Sequence, residues 1–110
     1  MAYDEALATR IRHLVAGEKN VTEQKMFGGL AFLVGGNMAI AASGQGGALV
    51  RVDPATTEKL LATTGAEPFE MRGRAMNGWL RVDTEHLRTK QQLGKWVKLG
   101  VSYARSLPAK

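Results

Sequence analysis

Apolar residues recur every three to four positions at Tyr3, Leu7, Ile11 and Leu14, with Val15 widening the stripe. That spacing predicts one face of an amphipathic helix. Asp4 is placed to cap it and Gly17 to end it. Residues 18–27 are more polar and read as a connection toward Met26 and Phe27. The pattern then changes. Short apolar runs at residues 30–34, 38–42 and 48–52 alternate with Gly28, Gly29, Gly35, Gly36, Gly44, Gly46 and Gly47. Each run is strand length and bounded by turn residues, which predicts three antiparallel strands in a meander. Gly35-Gly36-Asn37 reads as a tight hairpin, because Gly and Asn tolerate positive φ.

In the second half, Asp53-Pro54 marks a helix start, with Asp as cap and Pro at the first helical position. This helix is expected to run to about residue 63, with Leu60 and Leu61 inward and Gly65 as its stop. Residues 67–71 are short and extended, and Pro68 restricts them to an edge or a strand entrance. Asn77-Gly78 reads as a turn before a last strand at residues 79–82, and Asp83 or Thr84 as the cap of a final helix. In that helix Leu93, Trp96, Val97, Gly100, Val101 and Ala104 form an apolar stripe, while Lys95, Lys98, Ser102 and Arg105 fall on another face. Pro108 lies just past its end. The expected order is α-β-β-β-α-β-β-α: one α+β domain over residues 1–110, two-layered, with helices on an antiparallel sheet of about five strands.

Composition narrows the function. The chain has 110 residues with 45% hydrophobic and 23% charged content, values that fit one folded domain. It has no Cys, which removes disulfides, thiol catalysis, iron–sulfur ligation and Cys-based zinc sites. His13 and His86 are its two histidines, each without a neighbouring ligand in sequence, so surface or packing roles are the simpler reading. No apolar run is long enough to span a bilayer, and the acidic N-terminus lacks the features of a signal peptide. A cytoplasmic protein without membrane partners is expected. Charge is uneven: residues 1–70 carry net −2 and residues 71–110 net +7. Such asymmetry points either to an anionic partner or to a solvated helix face.

Familiar catalytic patterns fail on inspection. Gly44-Gln45-Gly46 starts a dinucleotide fingerprint, but Leu49 stands where the third Gly belongs. Gly94-Lys95-Trp96 lacks the hydroxyl that a P-loop needs for magnesium. Ser43 lacks the flanking glycines of a nucleophile elbow. Asp53 and Asp83 are paired in an echo, Leu49-Val50-Arg51-Val52-Asp53 against Trp79-Leu80-Arg81-Val82-Asp83, and helix capping accounts for both carboxylates. No catalytic, cofactor or metal residue is therefore assigned. Two sets of candidates remain. Met26, Phe27, Gly28, Gly29, Met76, Gly78 and Trp79 pair large apolar side chains with tight glycine passages and suit either the core or an interface. Arg72, Arg74, Arg88, Lys90, Lys95, Lys98 and Arg105 are candidates for contact with an anion or nucleic acid.

Lys25-Met26-Phe27-Gly28-Gly29, Gly36-Asn37-Met38-Ala39, residues 49–52, Phe69, Met76-Asn77-Gly78-Trp79 and Trp96-Val97 together resemble the TfoX N-terminal domain family, the TfoX/Sxy-type competence regulators. The resemblance covers roughly residues 10–105. It implies a short single-domain member with a two-layer α+β fold similar to secretion chaperones, and a link to regulation of natural transformation genes in bacteria. The longer regulators carry a further helical domain, so a DNA-related role attributed to that half is not implied here. The family implies no catalytic residues. The expected function is thus a non-enzymatic regulatory module that binds a protein partner. Direct nucleic-acid binding through the basic last helix is the alternative, and a small-molecule enzyme using Arg51, Arg81, Asp53 and Asp83 a more distant one. A homodimer formed through a sheet edge or helix face is also an expectation.

Overall fold

The computed structural model describes residues 3–108 apart from residues 27, 45 and 72, and excludes the side chains of Met26, Thr63, Met71 and Ala75. Helix α1 spans Glu5–Leu14. The Asp4 carboxylate caps it by accepting from the N–H groups of Ala6 at 2.9 Å and Leu7 at 3.2 Å. The helix closes at Leu14, ahead of Gly17. Strand β1, Val21–Met26, occupies the segment expected to be a connection, and it raises the sheet to six strands. It is an edge strand whose residues all pair with β2, Gly29–Val34. Thr22, Glu23, Gln24 and Lys25 are exposed, so no period-two apolar alternation announces it.

The β2–β3 hairpin turns on Gly35 at φ 60° and Gly36 at φ 85°, the two positive values a two-residue turn needs. Asn37 is not a turn residue. It opens β3, Asn37–Ala42, and its buried amide donates to the Pro108 carbonyl at 2.9 Å, fastening the C-terminal segment. Strand β4, Ala48–Arg51, leads into a 3₁₀ turn at Pro54–Thr56 and helix α2, Thr57–Thr63. The Asp53 side chain accepts from the Ala55 N–H at 2.9 Å, as its capping role requires.

Strands β5, Glu67–Met71, and β6, Arg74–Val82, complete an antiparallel sheet of order β1-β2-β3-β4-β6-β5. Strand β5 is an edge, as Pro68 demands. Asn77-Gly78 does not turn the chain; it lies inside β6. Gly78 takes φ 88°, donates to the Thr57 hydroxyl at 3.1 Å and accepts from the Val52 N–H at 2.8 Å. Gly78 thus joins β6 to the start of α2, at the place where the β5–β6 register shifts. Asp83 and Thr84 introduce only a 3₁₀ turn, Thr84–His86. Helix α3, Lys90–Ser106, begins later, where Thr89 and Gln92 form a reciprocal capping box.

Register places the core. Phe32 pairs with Ile40, Ile40 with Val50 and Val50 with Leu80, so one row of apolar side chains crosses four strands on a single face. Helices α1 and α3 cover that face with Leu7, Ile11, Leu93, Trp96, Val97 and Val101. A smaller cluster on the other face joins Ala31, Leu33, Met38, Ala41 and Leu49, with Phe69 and Trp79 packed against it. A β-bulge between β2 and β3 leaves Ala39 as the extra residue. There α3 approaches so closely that a Cβ on Gly100 would collide with the Ala39 carbonyl oxygen.

Alanine is the better helix former, yet at position 100 it is expected to lower stability by about 1–3 kcal/mol, the usual cost of overpacking. Urea unfolding of Gly100→Ala checks this, and an unchanged or raised midpoint would show that the close approach is not needed.

Candidate functional site

The apolar stripe of α1 and that of α3 turn both helices toward the same sheet face. Their outer shoulders therefore meet along a seam. At one end a recess of about 310 Å³ is lined by Arg10, His13, Leu14, Lys90 and Leu93. Beside it a recess of about 360 Å³ is lined by Leu14, Glu18, Gly94, Val97, Lys98, Val101, Ser102 and Arg105. Leu14 lines both. At their base Leu93, Val97 and Val101 belong to the buried main core and Leu14 is part-exposed, while the rim is cationic.

Two contacts set the seam's geometry. Arg105 closes one end by donating to the Glu18 carboxylate at 2.7 Å and to the Lys19 carbonyl at 3.2 Å. Arg10 closes the other by donating to the Arg88 carbonyl at 3.1 Å. On its far side α1 is tied to β1 by Arg12, whose guanidinium reaches both oxygens of Glu23 at 2.6 and 2.9 Å. That hydrogen bond, more than the Coulombic attraction, holds the Glu23 carboxyl below the usual carboxylate range.

The candidate cations thus divide. Lys90, Lys98 and Arg105 line the seam. Arg88 supplies its carbonyl at one end. Lys95 lies beside the Trp96 ring at 6.0 Å and outside the seam lining, and Arg74 stands exposed at the start of β6. Arg72 lies outside the described residues. Sequence reading missed Arg10, His13, Leu14 and Gly94. The signal for Gly94 was a glycine inside a helical pattern, where it costs stability without an apparent return. Arg10 and His13 sit three apart on α1, but only folding brings them beside α3.

The apolar candidates fall elsewhere. Gly28 takes φ 73°, and a Cβ on Gly29 would collide with the Ala42 carbonyl, so the glycine pair fits the β1–β2 turn against the end of β3. Phe27 and the Met26 side chain lie outside the described residues. Trp79 is half-buried, opposite Arg51, whose guanidinium lies 5.1 Å from its ring and 5.5 Å from that of Tyr103. Met76 is the large apolar side chain exposed among the described residues, at 36%.

Arg51 and Arg81 do share the second sheet face, because they lie opposite Trp79 and Leu49 respectively. Arg81 meets Asp83 at 3.9 Å. His86 packs its ring over Gly65, where a Cβ would collide with it. Among the described residues, no group of three His, Asp or Glu side chains is placed to share a metal ion, and no helix is long and apolar enough to cross a membrane.

Residues 13–104 match the TfoX N-terminal domain family. No curated protein matches the chain. The matched span runs from the seam wall on α1 almost to the end of α3.

Because the Glu23 carboxyl is lowered in the fold, its pair with Arg12 stabilises the protein at neutral pH. That contribution is lost as pH falls through the lowered value. Wild type is therefore expected to melt above Glu23→Gln at pH 7, with the gap closing in acid. Thermal melts from pH 7 to pH 2 check this, and a gap that widens in acid would contradict it.

Proposed function

Because the chain belongs to the TfoX N-terminal domain family, we propose that it is a non-enzymatic regulatory module whose working contact is a protein partner held at the seam between α1 and α3. The family is one of competence-related regulatory domains and is not known for an enzymatic activity. The observation that carries the reading is the seam itself. Two adjoining recesses that share the part-exposed Leu14 are flanked by Arg10, Lys90 and Lys98, with Arg105 paired to Glu18. Apolar area contributes about 25 cal/mol per Å² when it leaves water, so the exposed part of Leu14 favours a partner with apolar groups of its own. Nucleic-acid backbones gain from the rim alone.

A photo-crosslinking residue at position 98, with a control at exposed Glu58 on α2, tests the reading in cells. Protein adducts are expected at 98 and not at 58. In parallel, anisotropy on short duplex DNA and RNA across a salt series is expected to show only weak, sequence-independent binding. Tight, salt-steep DNA or RNA binding lost in Lys90→Glu/Lys98→Glu would replace this reading with a nucleic-acid one. Absence of protein adducts at 98 would remove the seam as the contact.

A further inference from the structure

Resting on the protein-partner reading of the seam, we propose that its occupant is a single amphipathic helix of that partner, apolar along one face and acidic along its flanks. Two independent features lead there. The first is Gly94. Helix α3 holds two interior glycines, and Gly100 has its reason in the Ala39 carbonyl. Gly94 has none inside the chain: a Cβ built there meets nothing within 4 Å. A helix-interior glycine is less favourable than alanine. Gly94 lines the seam, and its missing side chain leaves the α3 wall open beside Leu14 and Val97. Glycine at such a point lets another backbone come close.

The second feature is charge. Arg10, Lys90 and Lys98 stand along the rim, while Arg105 is taken up at 2.7 Å by Glu18, the one carboxylate among the lining residues. A partner segment with carboxylates on both flanks complements that rim. Its conformation follows from the walls. Backbone groups within α1 and α3 are bonded inside their own helices, so an extended segment would find no ladder partner for its N–H and C=O groups. A helix arrives with its own satisfied and lays an apolar stripe into the groove. The seam follows α3 from Lys90 to Arg105, about 22 Å at 1.5 Å per residue, which matches about four helical turns.

The test uses the full chain and three synthetic peptides of about four turns. One carries Leu at i, i+3, i+4 and i+7 with Glu elsewhere. The second replaces Glu by Lys, and the third scrambles the first. The acidic amphipathic peptide is expected to bind with a Kd below about 1 mM, and at least about tenfold more tightly than either control. Amide shifts are expected to centre on Leu14, Gly94 and Lys98. Gly94→Leu is expected to weaken binding at least about tenfold. Gly94→Ala is expected to raise the thermal midpoint of the free protein by about 4 °C, because nothing in the chain needs the glycine.

Equal binding of the acidic and basic peptides, no binding below about 1 mM, or acidic binding untouched by Gly94→Leu would overturn the proposal. So would a Gly94→Ala midpoint below wild type, which would give the glycine a role inside the fold. Failure here is distinguishable from failure of the functional reading. A crosslinked protein seated at position 98 through a basic or extended segment sinks the acidic helix but keeps the protein partner, whereas capture of DNA at the seam sinks both.

Discussion

The close approach of α3 to β3 at Gly100 governs the arrangement of the helical layer. A β-bulge at Ala39 breaks the β2–β3 register, and α3 settles where Gly100 offers no side chain between its backbone and the Ala39 carbonyl. With the axis placed there, Leu93, Trp96, Val97 and Val101 reach the main core together. Asn37 then meets the Pro108 carbonyl, and Arg105 meets Glu18. The bulge and the glycine act as one constraint, since an extra residue in β3 without a thin helix surface above it would force the layers apart.

The same constraint makes the seam. Helix α1 is secured on one side by the Arg12–Glu23 pair and on the other by contacts from Arg10 and Arg105 across to and from α3 and its entrance. Each of these is a partly exposed polar contact of modest energy. Their combined effect is positional: they hold two amphipathic helices at a spacing where the shoulders do not close over Leu14.

The sharpest sequence strings have structural work of their own. Gly28 and Gly29 serve a turn pressed against β3, and Gly78 takes a positive φ where its backbone meets Thr57 and Val52. Asn37 anchors the end of the chain rather than turning a hairpin. These residues explain why the strings are distinctive, because each marks a place where backbone comes close to backbone and few side chains fit. Trp79 and Met76 are different, since both keep part of their apolar surface in contact with solvent.

By itself the sequence determined the α+β class, the first and last helices by their stripes, the meander of β2, β3 and β4, the Asp4 and Asp53 caps, and the edge position of Pro68. All of these rest on periodicity or on one residue's local stereochemistry, which a linear string carries in full. Tertiary structure alone decided the rest. Strand β1 is polar and exposed, so only pairing with β2 makes it a strand. The Asn77-Gly78 pair has turn chemistry, but the contacts of Gly78 with the Val52 N–H and the Thr57 hydroxyl keep it inside β6. The beginning of α3 went to the reciprocal Thr89–Gln92 box instead of Asp83. The seam was hidden for the same reason. Arg10 and Lys90 lie far apart in sequence, and their juxtaposition depends on where packing sets two helix axes, a distance that no local pattern encodes.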